Sequence, residues 1–238
     1  MQVEDFCIGW ILKRHLIITI DGPAGSGKSA VAMELARGLH IKHLDTGAMY
    51  RAVALLAMQA GSTAAPDAVA KLAKSMDLQF DFQAWPAKVL LNGRDVSSEI
   101  RQPEVTRITH CAADNPVVRE ELVRRQRKIA EALDALVTEG RDQGTVAFPD
   151  GDFKFYIDAT ADVRAARRLR QLTDKGIPAV AAEVLRELIE RDNRDQSRLV
   201  GPLKPSPDAV VVDTSEMNLM EVVALLTQLI KAGSTEHE

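Results

Sequence analysis

The stretch Gly22-Pro23-Ala24-Gly25-Ser26-Gly27-Lys28-Ser29-Ala30 fits GxxxxGK[ST], with Gly22, Gly27, Lys28 and Ser29 at the required places. Its glycines let the backbone curl close to phosphate oxygens, and amides at a helix N-terminus point into that curl. Lys28 would neutralise the β and γ phosphates and the Ser29 hydroxyl would hold Mg²⁺. Further along, ELIERDNRDQSR sets Arg191, Asp195 and Arg198 at i, i+4 and i+7, on one helix face with Arg194 beside them. Guanidinium forks match phosphate or pyrimidine acceptors, and a carboxylate takes hydrogen bonds from ribose hydroxyls. The same spacing also suits a solvated helix with ordinary ion pairs.

Two more clusters follow strand-like runs. In Asp45-Thr46-Gly47-Ala48-Met49-Tyr50-Arg51, read as a ligand loop, Thr46 and Arg51 could hold an acceptor phosphate. Glu139-Gly140-Arg141-Asp142 offers a glycine for close approach and an Arg/Asp pair. Each alone reads equally as a helix cap with a surface salt bridge. There is no NKxD string, which Thr173-Asp174-Lys175-Gly176 only partly imitates, and no suitable DxxG, so a GTPase is set aside. Asp158 and Asp213 end apolar runs, and Asp158 is expected to cap the helix after it. A small phosphotransferase remains, in which positioning and charge stabilisation dominate, so arginines should mark the site. The chain has 19 Arg against 11 Lys, which agrees.

These groups need a frame. The run Leu16 to Ile20 is apolar and β-branched, as a fully buried strand should be, and Ser29 to Gly38 reads as the next helix. Ile41–Leu44, Ala135–Glu139, Phe153–Asp158 and Ala209–Asp213 repeat the strand pattern, predicting an α/β fold on five parallel strands. Asp77–Phe82 and Lys88–Asn92, with Asn92-Gly93 as a turn, predict a small antiparallel insert. Val117–Leu136 and Ala179–Leu199 have helical periodicity, and the residues after Lys231 are expected to be a disordered tail.

Composition narrows the classes. Hydrophobic residues are 46% and charged residues 27% of 238, a soluble globular profile, and no stretch approaches a membrane span. A net charge of −4 argues against nucleic-acid binding through bulk charge. Cys7 and Cys111 form no zinc spacing, His40 and His43 have no partners at metal-like spacing, and a reducing, cytoplasmic setting is expected. Residues 1–15 read as no targeting signal; an extra strand, a partner-contacting arm and a start-codon artefact stay open.

Taken together, ITIDGPAGSGKS, LDTGAMYRAVAL, DVSSEIRQPEV, EGRDQGTVAFPD and ERDNRDQSR closely resemble the bacterial cytidylate kinases, nucleoside monophosphate kinases, from Ile17 to about Ile230. The resemblance implies a three-layer P-loop kinase fold as a single domain. Its core would lie at about 16–60 and 131–238, its monophosphate-binding insert at about 61–130 and its lid at about 170–182. It implies phosphoryl transfer from ATP to CMP or dCMP with Mg²⁺, by a monomer with no nucleic-acid or membrane partner.

Carried over, the resemblance puts ATP on Gly22 to Ala30 and the monophosphate on Thr46, Arg51, Arg119, Arg141, Asp142, Arg191, Asp195 and Arg198. Arg191 and Asp195 would meet the sugar, Arg119 and Asp142 the cytosine, and Arg51 and Arg141 the phosphate. Lys28, Arg141, Arg191 and Arg198 would stabilise the transferring group. Thr46 keeps the hydroxyl of a serine seen in relatives. His110, next to Thr109, stands where the family often has a serine on the base, and by itself is expected to be a partly buried packing residue. Arg124, Arg125, Arg127 and Lys128 are expected to be a solvated helix face, and one or more of Arg167, Arg168 and Arg170 to reach ATP when the lid closes. A P-loop kinase for UMP or a small metabolite, and a regulatory nucleotide-binding protein, are the competing readings.

Overall fold

The computed structural model describes residues 15–174 and 176–235. The expected N-terminal extension, His15 apart, lies outside them, as do Lys175 of the expected lid turn and the last three residues of the expected tail.

Strand β1 (Leu16–Asp21) is central because it is buried on both faces, as its run of Leu, Ile and Thr requires. With β2 (Lys42–Asp45), β6 (Ala135–Gly140), β7 (Phe153–Asp158) and β8 (Val210–Asp213) it forms a parallel sheet in the order β2-β6-β1-β7-β8. Register places Asp21 beside Gly140 and Tyr156, and Asp45 beside Glu139. The polar ends of four strands therefore share one edge, where parallel sheets hold ligands. Helix α1 (Lys28–Gly38) packs Val31, Ala32, Leu35 and Ala36 on the sheet.

Residues 45–51 are not a loop. Asp45 accepts the Ala48 N–H at 3.0 Å and starts α2 (Thr46–Gln59), a helix buried on nearly every side by alanines and aliphatics. That even burial hides it from a search for amphipathic periodicity. Its body joins α3 (Pro66–Ser75) in a hydrophobic cluster with the antiparallel β3 (Leu78–Asp81) and β4 (Lys88–Leu91) and the short helices α4 (Pro103–Ile108) and α5 (His110–Ala113). Asn92 and Gly93, both at positive φ, turn β4 into a short β5 (Arg94–Asp95) that the sequence pattern does not reveal.

Helix α6 (Pro116–Glu131) starts where the Asn115 side chain accepts the Val117 and Val118 N–H groups. It ends short of Leu136, which belongs to β6. After β7, α7 (Ala161–Asp174) and α8 (Ala181–Ser197) form a helical pair resting on a small cluster of Ala24, Ala165, Val184 and Leu188. Asp158 does not cap α7: its Oδ1 accepts the adjacent Ala159 N–H at 2.8 Å, while Thr160 Oγ1 accepts from Val163 at 3.4 Å inside the helix. Helix α9 (Leu219–Thr235) runs four residues past Lys231, because Ser234 Oγ bonds the Ile230 carbonyl and Gly233 lies against Phe153.

Candidate active site

The turn from β1 to α1 is shaped by two glycines. Gly22, at φ +155°, lies so close to the Ile157 carbonyl oxygen that any side chain would collide with it, and Gly27 enters the helix in the left-handed region at φ +93°. No side chain caps α1, so its first amides are left for an anion. Lys28 and Ser29 then line a pocket at the sheet edge, together with Asp45, Thr46, Gly47, Tyr50 and Arg51 of β2 and α2. The region from α4 to α6 adds Thr109, Ala113 and Arg119, the end of β6 adds Glu139 to Asp142, and α8 adds Arg191 and Asp195. Arg198 also lines the pocket, but not from the helix face expected of it: α8 ends at Ser197 and Arg198 turns out of the helix at ψ 138°.

Asp21 fixes the β6 end from below, accepting the Gln143 N–H at 2.9 Å and the Gly144 N–H at 2.8 Å. Those bonds hold the π-turn Gln143–Ala147 that follows Arg141 and Asp142. Thr46 Oγ1 donates to the Glu139 carbonyl at 2.8 Å, tying α2 to the same strand end.

Most charges in the pocket are paired. Arg51 reaches Asp45 at 2.8 Å and Arg101 reaches it at 2.9 Å; although burial pulls the other way, these guanidiniums hold the Asp45 carboxyl at about 2. Arg119, stacked 5.4 Å from the Tyr50 ring centre, donates to Asp142 and to the Ala113 carbonyl. Asp195 takes Arg141 at 2.8 Å and Arg198 at 2.5 Å, and against the push of burial these cations keep it below the usual carboxylate range.

Two cations have no carboxylate partner among the described residues. Lys28 bonds only the Pro23 carbonyl, at 3.3 Å, and burial, with help from Arg141, pulls it down to about 7. Arg191 donates no hydrogen bond and closes no ion pair there, and burial and Arg141 bring it to about 10. Lys28, buried, and Arg191, half-buried, feel nearby carboxylates only at a distance, an arrangement that is costly in an empty pocket and favourable around a polyanion.

The pocket also suits a hard cation. Glu139 is 3% exposed and its Oε1 is buried without a hydrogen-bond partner, in the wall that Ser29 shares. A carboxylate and a hydroxyl are the oxygen donors Mg²⁺ takes while keeping most of its water.

A crystallised protein of Thermus thermophilus shares the fold, with a TM-score of 0.50 over 92% of this chain and 98% of its own at 17% identity. Curated cytidylate kinases of Vibrio parahaemolyticus and Aeromonas hydrophila are each 45% identical to the chain, over 92% and 87% of its length and 97% and 90% of theirs. The cytidylate kinase family model matches residues 18–232. The chain belongs to the cytidylate kinase family.

As a cytidylate kinase-family protein it is a phosphotransferase. The structure gathers Lys28, Ser29, Thr46, Arg51, Arg119, Arg141, Asp142, Arg191, Asp195 and Arg198 into one pocket, with Gly22, Pro23, Ala24, Gly25, Ser26 and Gly27 in the turn leading to it and Ala30 in α1. His110 differs from expectation. It is exposed, its Nδ1 lies 3.0 Å from the Arg107 carbonyl, and it borders the cleft outside the pocket, while neighbouring Thr109 lines the pocket itself.

Arg167 is engaged elsewhere: its guanidinium donates to the Ser26, Thr214 and Met217 carbonyls and to Thr214 Oγ1, so it braces the P-loop backbone. Arg168 borders the open cleft between α4–α5 and α7–α8. Nor are Arg125 and Arg127 a simple solvated face, since they donate to the Ala73 and Lys74 carbonyls and to the Val146 and Ala147 carbonyls.

Sequence reasoning missed Glu139 and Tyr50 as wall residues. The strand register opposite Asp45 marks Glu139, but register is not visible along one chain. Tyr50 falls one turn after Thr46 once α2 is recognised as a helix.

Proposed function

We propose that the P-loop holds ATP and the pocket holds CMP or dCMP, and that the γ-phosphoryl group passes between them in line. The unpaired Lys28 and Arg191 carry this reading, because the charge they lack is what a donor phosphate and an acceptor phosphate bring together. Arg51 and Arg141 orient the acceptor phosphate, and Arg191 with Asp195 meets the sugar. Arg119 and Asp142 read the base: Asp142 turns Oδ2 to Arg119, and no hydrogen bond among the described residues claims Oδ1. A carboxylate oxygen accepts from the exocyclic amine of cytosine and repels the carbonyl that uracil has there.

When bound, Mg²⁺ neutralises charge on the donor phosphates, and Ser29 and Glu139 are the residues that would hold it. Lys28, Arg141, Arg191 and Arg198 stabilise the charge spread over the transferring group. The acceptor oxygen belongs to an ionised phosphate, so no general base is needed.

The insert, about 61–130, and a lid, about 170–182, are the parts assigned to closure. Residues from Val69 to Leu122 pack with α2 in a hydrophobic cluster apart from the one under β1, and this together with the thin packing under α7 and α8 supports that division. The acting unit is read as a cytoplasmic monomer, as the family resemblance implies. No helix among the described residues is long and apolar enough to cross a membrane. Light scattering at assay concentration tests the monomer.

ADP formation from ATP and Mg²⁺ with CMP, dCMP, UMP, AMP, GMP or no acceptor tests the main reading. CMP and dCMP should exceed UMP by about 10²-fold or more in kcat/KM. A flat response across acceptors would overturn the base assignment.

A further inference from the structure

Neighbouring residues of α8 face two ways. Arg191 and Asp195 line the pocket, whereas Asp192, buried, turns to the P-loop. Its Oδ1 accepts the Ala24 N–H at 3.4 Å, and its Oδ2 accepts from Arg164 Nη1 of α7 at 2.5 Å. Arg164 Nη1 also donates to the Ala24 carbonyl at 3.0 Å, and its Nε to the Ala159 carbonyl at 2.9 Å. Both ends of one P-loop residue are thus clasped by an ion pair that joins two helices. Gly25 completes the fit, since a Cβ there would lie 3.1 Å from the Arg164 carbonyl oxygen.

Neither charge lines that pocket, so neither is a contact for the monophosphate assigned to it. Nor is a buried ion pair an efficient way to stabilise a fold, because well-packed apolar side chains do as well or better. What this pair does that an apolar contact cannot is fix the orientation of the Ala24 peptide relative to α8. Phosphates seated in the P-loop would hold that peptide from its other side, and the clasp would pass the restraint on to the helix that presents Arg191 and Asp195.

We infer that the Arg164–Asp192 pair is a positioning device that couples the donor site to the acceptor site, so that a nucleoside triphosphate in the P-loop tightens binding of the monophosphate. The inference rests on the assignment of the inner face of α8 to the monophosphate. Coupling of this kind is reciprocal: the monophosphate tightens the triphosphate by the same factor.

The test is calorimetric titration of CMP, without and with a saturating non-hydrolysable ATP analogue. The unmodified protein should show CMP tightened by about 5- to 150-fold by the analogue. The double variant Arg164→Met/Asp192→Leu leaves no buried charge unpaired, and in it CMP alone should bind within about threefold of the unmodified protein while the tightening falls below about twofold. Arg164→Lys, which keeps the charge but loses the fork, should retain part of the tightening and serves if the double variant does not fold. No tightening in the unmodified protein, or full tightening in the variants, overturns the coupling. Arg191→Ala separates the two failures: unchanged CMP affinity there overturns the pocket assignment and the coupling with it, whereas lost affinity beside full tightening in the double variant overturns the coupling alone.

Discussion

Helices α6 and α8 look alike as strings, both long, charged and rich in arginine, yet they do opposite work. Helix α6 is anchored by Val118, Leu122, Val123, Gln126 and Ala130, and apart from Arg119 its arginines close on Glu121 or on backbone carbonyls. Helix α8 has a thinner apolar footing, Val184 and Leu188 buried with Leu185 packed beside them, while its last two turns bury Asp192 and Asp195 and send Arg191 to the pocket, joined by Arg198 just past its end. Arginine content therefore says little; what lies beneath a helix decides whether its charges brace or bind.

The sharpest break of that comparison is Arg191→Ala. It should lower kcat/KM for CMP by about 10³-fold, about 4 kcal/mol of transition-state stabilisation, with the melting temperature unchanged or higher because a crowded cation is removed. Steady-state kinetics beside a thermal melt reads both. On α6 the reverse holds: Leu122→Ala should cost about 2–5 kcal/mol in denaturant unfolding while the folded fraction keeps its kcat. If Leu122→Ala instead abolished turnover at full stability, α6 would be part of the machinery.

Lys28, the other unpaired cation, gives a subtler signal. Held at about 7 in the free protein, it is largely neutral at pH 8, and triphosphate binding should raise its affinity for a proton. Binding at pH 8 should then take up close to one proton, seen as a dependence of calorimetric enthalpy on the ionisation enthalpy of the buffer, and lost in Lys28→Arg. The sign for stability follows, because the folded state binds its proton more weakly than the ordinary 10.5 of a free lysine. The burial penalty is full below about pH 7 and is relieved as pH rises from there towards 10.5. The smallest effect belongs to Arg124→Ala, an exposed partner of Glu121, which should leave the denaturant midpoint and the kinetics unchanged within error.

The P-loop and the five parallel strands were legible because their signals are contiguous: glycines beside a lysine and a hydroxyl, and apolar runs bounded by turns. The expected pocket residues do converge, from Thr46 on α2 to Arg198 at the end of α8. What escaped was whatever depends on the other side of a contact. Helix α2 carries no polar face, β5 is two residues long, and Glu139 gains its meaning only from standing opposite Asp45. Asp192 sits between two recognised site residues and points away from both, a direction set by packing against α7. His110 opens α5 on the side of the outer cleft, whereas Thr109, just before that helix, faces the pocket, a direction that neighbouring letters do not show.

Helix α2 begins at the pocket with Thr46 and Arg51 and then sinks into an apolar cluster that the sheet core does not share. The wall that tells one acceptor from another thus has foundations of its own. The acceptor wall and the donor cradle can thereby vary in sequence largely apart, since the apolar residues that hold one are not those that hold the other.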